Sequence, residues 1–225
     1  MNLKINYFDN CIKLENDSIQ VIEIENKKMF YRFVNDLYLL EKDEKLNELY
    51  FFDKENKELN MNGRVGIYIN FFNLDFNSKK NLSILQKNII NQLSEEMKNK
   101  LVNNYKKMYN IFNKILFEID LPFIMNDNFT KEDILKLFKI SITIQNDLLD
   151  NLLLLVDLEN ILKVNDVLFM INLKQYLSKE ELEEFYKYSI YNGIRVVLVD
   201  SQSYGVTLNY EKKLIIDENL DEFVL

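Results

Sequence analysis

Residues 167–200 read VLFMINLKQYLSKEELEEFYKYSIYNGIRVVLVD, which spells a strand, a helix and a second strand with each boundary marked. The opening run Val167-Leu168-Phe169-Met170-Ile171 is bulky and apolar without alternation. That is the pattern of a strand covered on both faces, as parallel sheets require. Ser178-Lys179-Glu180-Glu181 then forms a capping box, in which the serine hydroxyl accepts from a first-turn amide and Glu181 reaches back to the cap amide. Gly193 supplies the left-handed residue on which helices end, and Ile194-Arg195-Val196-Val197-Leu198-Val199 returns as a β-branched strand. A crossover of this kind is right-handed and its strands are parallel, so the fold class is α/β.

Toward the N-terminus, residues 3–8 and 12–14 flank the polar turn pair Asp9-Asn10 and predict a small hairpin. Ile19-Gln20-Val21-Ile22-Glu23-Ile24 reads as a third strand. Glu25-Asn26-Lys27-Lys28 leads from it into a helix with Phe30, Phe33, Val34, Leu37 and Tyr38 at helical spacing. Tyr50-Phe51-Phe52 and Val65-Gly66-Ile67-Tyr68-Ile69 are further short strands, separated by a polar turn region at residues 53–62. Between residues 78 and 163 the periodicity becomes helical, and the chain's one proline, Pro122, falls between helices. Leu101, Tyr105, Met108, Phe112 and Ile115 follow the four-three spacing by which one helix packs along another, which predicts a long hairpin. Thr130-Lys131-Glu132-Asp133 caps the return helix, and the leucine-rich residues 148–162 lead back to the sheet. The predicted organisation is an α/β domain of residues 1–73 and 160–225, interrupted by a helical domain of residues 74–159.

The 225 residues are 48% hydrophobic, enough for a substantial core. No apolar run approaches the roughly 18 to 20 residues of a membrane span. The first residues lack the apolar stretch of a secretory signal, and a lone Cys11 forms no internal disulfide. Together these predict a cytoplasmic protein without a membrane partner. With no histidine in the chain, imidazole catalysis and His-ligated zinc are excluded. The formal charge of −8 argues against a uniformly basic surface, yet 28 lysines and arginines can still be gathered on one face.

The loop from strand to helix at Glu25-Asn26-Lys27-Lys28-Met29 lies where a phosphate-binding loop would sit. It has no glycine to wrap a phosphate, and its lysines precede no Ser or Thr to hold magnesium, so no nucleotide is expected. Asn172 and Asp200 end the two core strands at the edge where open α/β sheets place ligands. Each is equally a polar residue leaving a strand. Glu118, Asp120, Asp127, Glu132 and Asp133 crowd the bend around Pro122, at a density that suits calcium but without the spacing of an EF-hand. The alternative is a solvated charged turn with a helix cap. Lys79, Lys80, Lys87, Lys98, Lys100, Lys106 and Lys107 line the long helices as a phosphate-tracking face or as the wet side of a bundle. Arginine, which reads base edges, occurs only at positions 32, 64 and 195, so any nucleic-acid binding is sequence-independent.

Three segments together resemble a known family: residues 19–38 (IQVIEIENKKMFYRFVNDLY), 167–182 (VLFMINLKQYLSKEEL) and 195–202 (RVVLVDSQ), with Ile89-Ile90-Asn91-Gln92-Leu93 as a weaker point. Their order and content are similar to the short form of the Csn-two protein of subtype II-A CRISPR systems. The resemblance implies a P-loop-NTPase-like parallel-sheet head without a functional Walker motif, and an inserted helical leg. It implies a homotetrameric ring that encircles double-stranded DNA at its ends without reading sequence. Such proteins are not enzymes; they serve spacer acquisition beside the RNA-guided effector nuclease and the adaptation integrase. Carried to this chain, the DNA-facing candidates are Arg64, Lys79, Lys80, Lys87, Lys98, Lys106 and Lys107. Structural calcium falls on Glu118, Asp120, Asp127 and Asp133. The alternative function is an inactive P-loop-like scaffold that assembles adaptation proteins and touches DNA only incidentally; a nucleotide-hydrolysing enzyme ranks last.

Overall fold

A computed structural model describes residues 1–119, 122 and 130–225. It has a mixed α/β fold in two compact units, residues 1–74 with 145–225 and residues 75–144.

The first unit is built on six strands: β3 (Ile19–Ile24), β5 (Val65–Tyr68), β6 (Val167–Ile171), β7 (Val196–Asp200), β8 (Glu211–Ile216) and β9 (Glu222–Val224). Their order is β5-β6-β7-β3-β8-β9, parallel throughout except for the edge strand β9. Every residue of β3, β6 and β7 is buried, which is why β6 and the Val196–Val199 run of β7 are apolar without alternation. A second sheet, β2-β1-β4, joins the hairpin β1 (Asn2–Ile5) and β2 (Cys11–Lys13) to β4 (Leu49–Phe52), all antiparallel.

One continuous core unites these layers. Ile22, Ile24, Phe169, Ile171, Val197 and Val199 of the large sheet meet Met29, Phe33, Leu37 and Leu40 of helix α1 (Lys27–Glu41). Leu3, Ile5, Leu49 and Phe51 of the small sheet complete the core, and Phe51 packs edge-on against Phe169 with ring centres 6.4 Å apart. Inside this frame Asp36 of α1 is buried, and its Oδ2 accepts the backbone amides of Asn47 (2.8 Å), Glu48 (2.5 Å) and Leu49 (3.0 Å). That carboxylate delivers the chain to β4.

On the opposite face lie α5 (Leu148–Leu162) and α6 (Lys179–Tyr191), linked by a 2.6 Å bond from the Tyr188 hydroxyl to Asp157. The signals read in residues 178–193 are present as drawn. Ser178 and Glu181 form the capping box, and Gly193 takes φ +68°. Helix α5 differs from expectation. It packs on α6 and belongs with the sheet, whereas the predicted boundary at residue 159 falls inside it. The reason is its surface: Leu152, Leu155, Val156, Leu158 and Leu162 are buried, too much apolar area for a solvent-facing connector.

The second unit holds α2 (Lys79–Gln92), α3 (Glu95–Phe117) and α4 (Lys131–Leu137). Ser78, Ser94 and Thr130 cap the three N-termini. The return helix is much shorter than predicted. It ends at Leu137, Lys139 just beyond takes φ +49°, and Ile140-Ser141-Ile142-Thr143-Ile144 follows, a β-branched alternation that disfavours helix. Asn77 ties that segment back by accepting from the Ile142 amide (2.7 Å) and donating to its carbonyl (3.0 Å).

Candidate nucleic-acid interface

Charge is unevenly divided between the units. Residues 75–144 carry eleven lysines against eight carboxylates, a formal +3 within a chain of −8. The concentration is higher still on α2 and α3, where residues 79–117 hold eight lysines and two glutamates. A positive stretch this dense in an acidic chain is the kind of surface that attracts a polyanion such as a nucleic-acid backbone.

The structure sorts the seven expected cationic residues into two groups. Lys79 and Lys80 open α2, Lys87 follows Lys80 by seven residues on the same face, and Lys106 and Lys107 lie in the middle of α3. All five are exposed and make no ion pair among the described residues. Lys98 is different: Glu95 holds its Nζ at 2.7 Å, and its side chain is largely covered. Arg64 belongs to the other unit, where it pairs with Asp166. Its positive charge is already matched.

Two features strengthen the first group. The first turn of α2 contains no acidic residue, so Lys79 and Lys80 sit at the positive end of the helix dipole without compensation. That arrangement is unfavourable for an isolated helix and favourable beside an anion. On α3, Lys114 is exposed and stands seven residues from Lys107, which itself stands seven from Lys100. Seven residues is two turns, about 10 Å of rise, so these lysines form a row along one face. Sequence reading passed over Lys114, although the seven-residue spacing signals it.

Beside this row α3 is apolar and open, and Ile111 lies one turn from both Lys107 and Lys114. No residue of this helix is buried among the described residues, and Met97, Met108, Ile111, Phe112 and Ile115 are each about half exposed or more. The seam predicted to pack inside a hairpin is thus partly bare. An exposed apolar face of this kind is a candidate contact surface.

Of the four expected calcium ligands, Asp120 and Asp127 lie outside the described residues. Glu118 is exposed at the C-cap of α3. Asp133 is engaged as a cap: its Oδ2 accepts from the Thr130 amide (2.9 Å) and hydroxyl (2.7 Å), and its Oδ1 meets Lys136 Nζ at 2.8 Å. Those contacts, the Lys136 bond first, hold its carboxyl well below the usual carboxylate range. No group of three or more potential metal ligands converges among the described residues. Glu118 and Asp133 therefore do not make a calcium site by themselves.

The strand-to-helix loop at Glu25-Asn26-Lys27-Lys28-Met29 is closed by its own side chain. Asn26 Oδ1 accepts from the amides of Lys28 and Met29, both at 3.1 Å, taking the donors a phosphate would use. Asn172 also has an internal task. Its Oδ1 accepts the Ser201 amide at 2.9 Å, and its backbone sits at φ +57°. Asp200 is wholly buried, with neither oxygen hydrogen-bonded among the described residues.

Comparison with known proteins fixes the family. The model of the CRISPR-associated protein family Cas_Csn2 matches residues 42–220. The chain belongs to this family. Membership in Cas_Csn2 implies a role in CRISPR type II-A adaptation. Among solved structures, the chain is similar to Stu0660 of Streptococcus thermophilus, with a TM-score of 0.68 at 15% identity, over 100% of this chain and 76% of that one. That likeness shows a shared fold. A nucleotide-free ATP-binding cassette from an ABC transporter aligns with a TM-score of 0.43 at 11% identity, over 100% of this chain and 92% of that one, too weak to support an argument. No curated protein matches the sequence. No helix among the described residues is long and apolar enough to cross a membrane.

Proposed function

We propose that this Cas_Csn2 member binds the ends of double-stranded DNA without reading sequence, as a homotetrameric ring, and so supports spacer acquisition. The observation that carries the reading is the set of exposed lysines on α2 and α3 that make no ion pair among the described residues, Lys79, Lys80, Lys87, Lys106, Lys107 and Lys114, in a chain of net charge −8. Lysine is a point charge that tracks phosphates, and it carries little information about bases. Ring closure multiplies a modest patch. Four copies bring about two dozen such lysines to one inner wall while the acidic remainder faces outward, which focuses binding on DNA that can be threaded. The bare apolar side of α3 supports self-association, since each copy presents the same surface.

The same proposal places the protein in the cytoplasm, beside the RNA-guided effector nuclease and the adaptation integrase, and gives it no catalytic step. In it the parallel-sheet unit is a P-loop-NTPase-like head whose phosphate loop has been replaced by the Asn26 cap, and residues 75–144 are the inserted leg. A structural calcium ion at the bend, with Glu118, Asp120, Asp127 and Asp133 as ligands, would cancel carboxylate repulsion there. In this reading the ion sets the ring's shape, while the lysines make the phosphate contacts. The second reading, a scaffold for adaptation proteins, is favoured by the same apolar side of α3, and it predicts partner binding that survives neutralisation of the lysines.

The deciding experiment is a gel shift at low salt with one duplex in linear and covalently closed circular form, in calcium and in chelator. Preference for the linear form supports a threaded ring, and its loss on chelation supports the ion. Equal affinity for both forms refutes the ring, and absence of binding to either refutes the DNA function in favour of the scaffold.

A further inference from the structure

The large sheet contains a buried cluster of charge that the proposed DNA binding does not use. Glu23 of β3, Asp200 of β7, Glu211 and Lys213 of β8, and Lys174 of the 3-10 turn Leu173–Gln175 are all buried together. Lys213 Nζ lies 2.8 Å from Glu23, and Lys174 Nζ lies 2.8 Å from Glu211 and 3.6 Å from Glu23. From α6, the Tyr186 hydroxyl donates to Glu211 at 2.8 Å. Three carboxylates thus face two ammonium groups. The unmatched carboxylate is Asp200, which has no ion pair and no hydrogen bond among the described residues. Register places it directly beside Glu23.

An uncompensated buried charge is too costly to persist. A metal ion does not answer it, because no three potential metal ligands converge among the described residues. One proton on Asp200 makes the cluster neutral.

The chain that closes over this cluster is unusual. Since β7, β3 and β8 are parallel neighbours, the connection from β7 to β8 must travel the length of the sheet across β3. Such crossovers usually take a dozen or more residues and a helix. Here residues 201–210 do it as an irregular strap. Beyond end ties from Ser201 to Asn172, Asn209 to Glu183 and the Ile19 amide to the Tyr210 carbonyl, its middle is fastened to the charged cluster. Ser203 Oγ donates to Glu23 Oε2 at 2.9 Å, and Lys213 Nζ donates to the Val206 carbonyl at 3.0 Å. The Leu208 amide donates to Glu211 Oε2 at 3.0 Å, and the Tyr204 ring lies 5.5 Å from Lys174 Nζ. Gly205, at φ +69°, turns the strap at its middle.

We propose that a proton on Asp200 holds this strap shut, and that ionisation of Asp200 releases residues 201–210 into solvent as a local opening of the fold. Burial is the main force pushing the Asp200 carboxyl up, to about 7; Lys174 and Lys213 pull it down, and Glu23 and Glu211 push it further up. Once ionised, Asp200 repels Glu23 and Glu211 and competes for the two lysines, the groups to which the strap is fastened. Peeling away ten residues hydrates the carboxylate without unfolding the sheet, the less costly of the two routes.

Hydrogen exchange of the whole protein, read by mass spectrometry at pH 6 and pH 8 and normalised for intrinsic exchange, tests this. The opening constant of peptides within 201–210 is expected to rise about tenfold between the two pH values, while β6 and α6 stay constant. Asp200→Asn keeps the shape and removes the proton, and its strap is expected to open equally at both. Ser203→Ala cuts one tie and leaves the titrating group, so it is expected to open more at both while keeping the pH ratio. Equal wild-type opening at pH 6 and 8, pH dependence that persists in Asp200→Asn, or a strap unaffected by Ser203→Ala would each overturn the proposal.

Discussion

Asp200→Asn also changes the stability of the whole molecule in a direction and amount that the structure sets. The carboxyl is raised from its ordinary 3.8 to about 7 on folding. Below pH 3.8 both states are protonated, and Asp200 leaves stability unaffected. Between 3.8 and 7 the unfolded chain releases the proton and the folded one keeps it, so stability falls as pH rises. Above 7 the loss is complete, at about 4 kcal/mol for roughly three units. Asparagine cannot titrate, and any constant cost of burying its amide cancels in a difference between pH values. The stability of Asp200→Asn relative to wild type is therefore expected to grow by about 2.5 kcal/mol from pH 5 to pH 8. Urea unfolding of both proteins at pH 5, 6.5 and 8 measures it, with midpoints and slopes fitted together. Parallel pH profiles for the two would refute the reasoning, because they would mean that Asp200 titrates alike folded and unfolded.

Three further expectations follow from the same geometry. Asp36→Ala leaves three backbone amides without their acceptor and should lower unfolding free energy by about 3 kcal/mol, readable as a drop in urea midpoint. Gly66→Ala places a methyl 2.9 Å from both Leu168 Cδ2 and Tyr68 Cε2, so a loss of about 1–3 kcal/mol in the same assay is expected. Replacing Lys79, Lys80, Lys106 and Lys107 by Gln should weaken duplex binding evenly across sequences and flatten its salt dependence. Each phosphate contact removed should lower the slope of log affinity against log salt by about 0.9, and an unchanged slope would move DNA away from α2 and α3.

The comparison of sequence with structure turns on where each signal comes from. The unit from Val167 to Asp200 was legible because its information is local: a capping box spans four residues, a left-handed glycine one, and a doubly buried strand five. The hairpin β1-β2 was legible for the same reason. Strand β8 escaped notice because Glu211-Lys212-Lys213 looks like a solvated turn. Its lysine at 213 is wholly buried only because Glu23, nearly two hundred residues earlier, lies against it. The candidate interface divides in the same way. That lysines crowd α2 and α3 is plain in the sequence; that Lys98 and Arg64 are already paired, and that Asp133 serves as a cap, depends on neighbours in space.

The sequence by itself determined the α/β class, the helix starts marked by Thr130 and Ser178, the missing phosphate loop, and the concentration of positive charge between residues 79 and 117. These are properties of composition, period and short-range hydrogen bonding, which a chain carries before it folds. Tertiary structure alone decided that α5 belongs with the sheet, that one side of α3 is left bare, and that Asp200 is the odd carboxylate in a buried cluster of five charges. Those outcomes depend on which distant surfaces meet, and burial and electrostatic matching exist only once they have met.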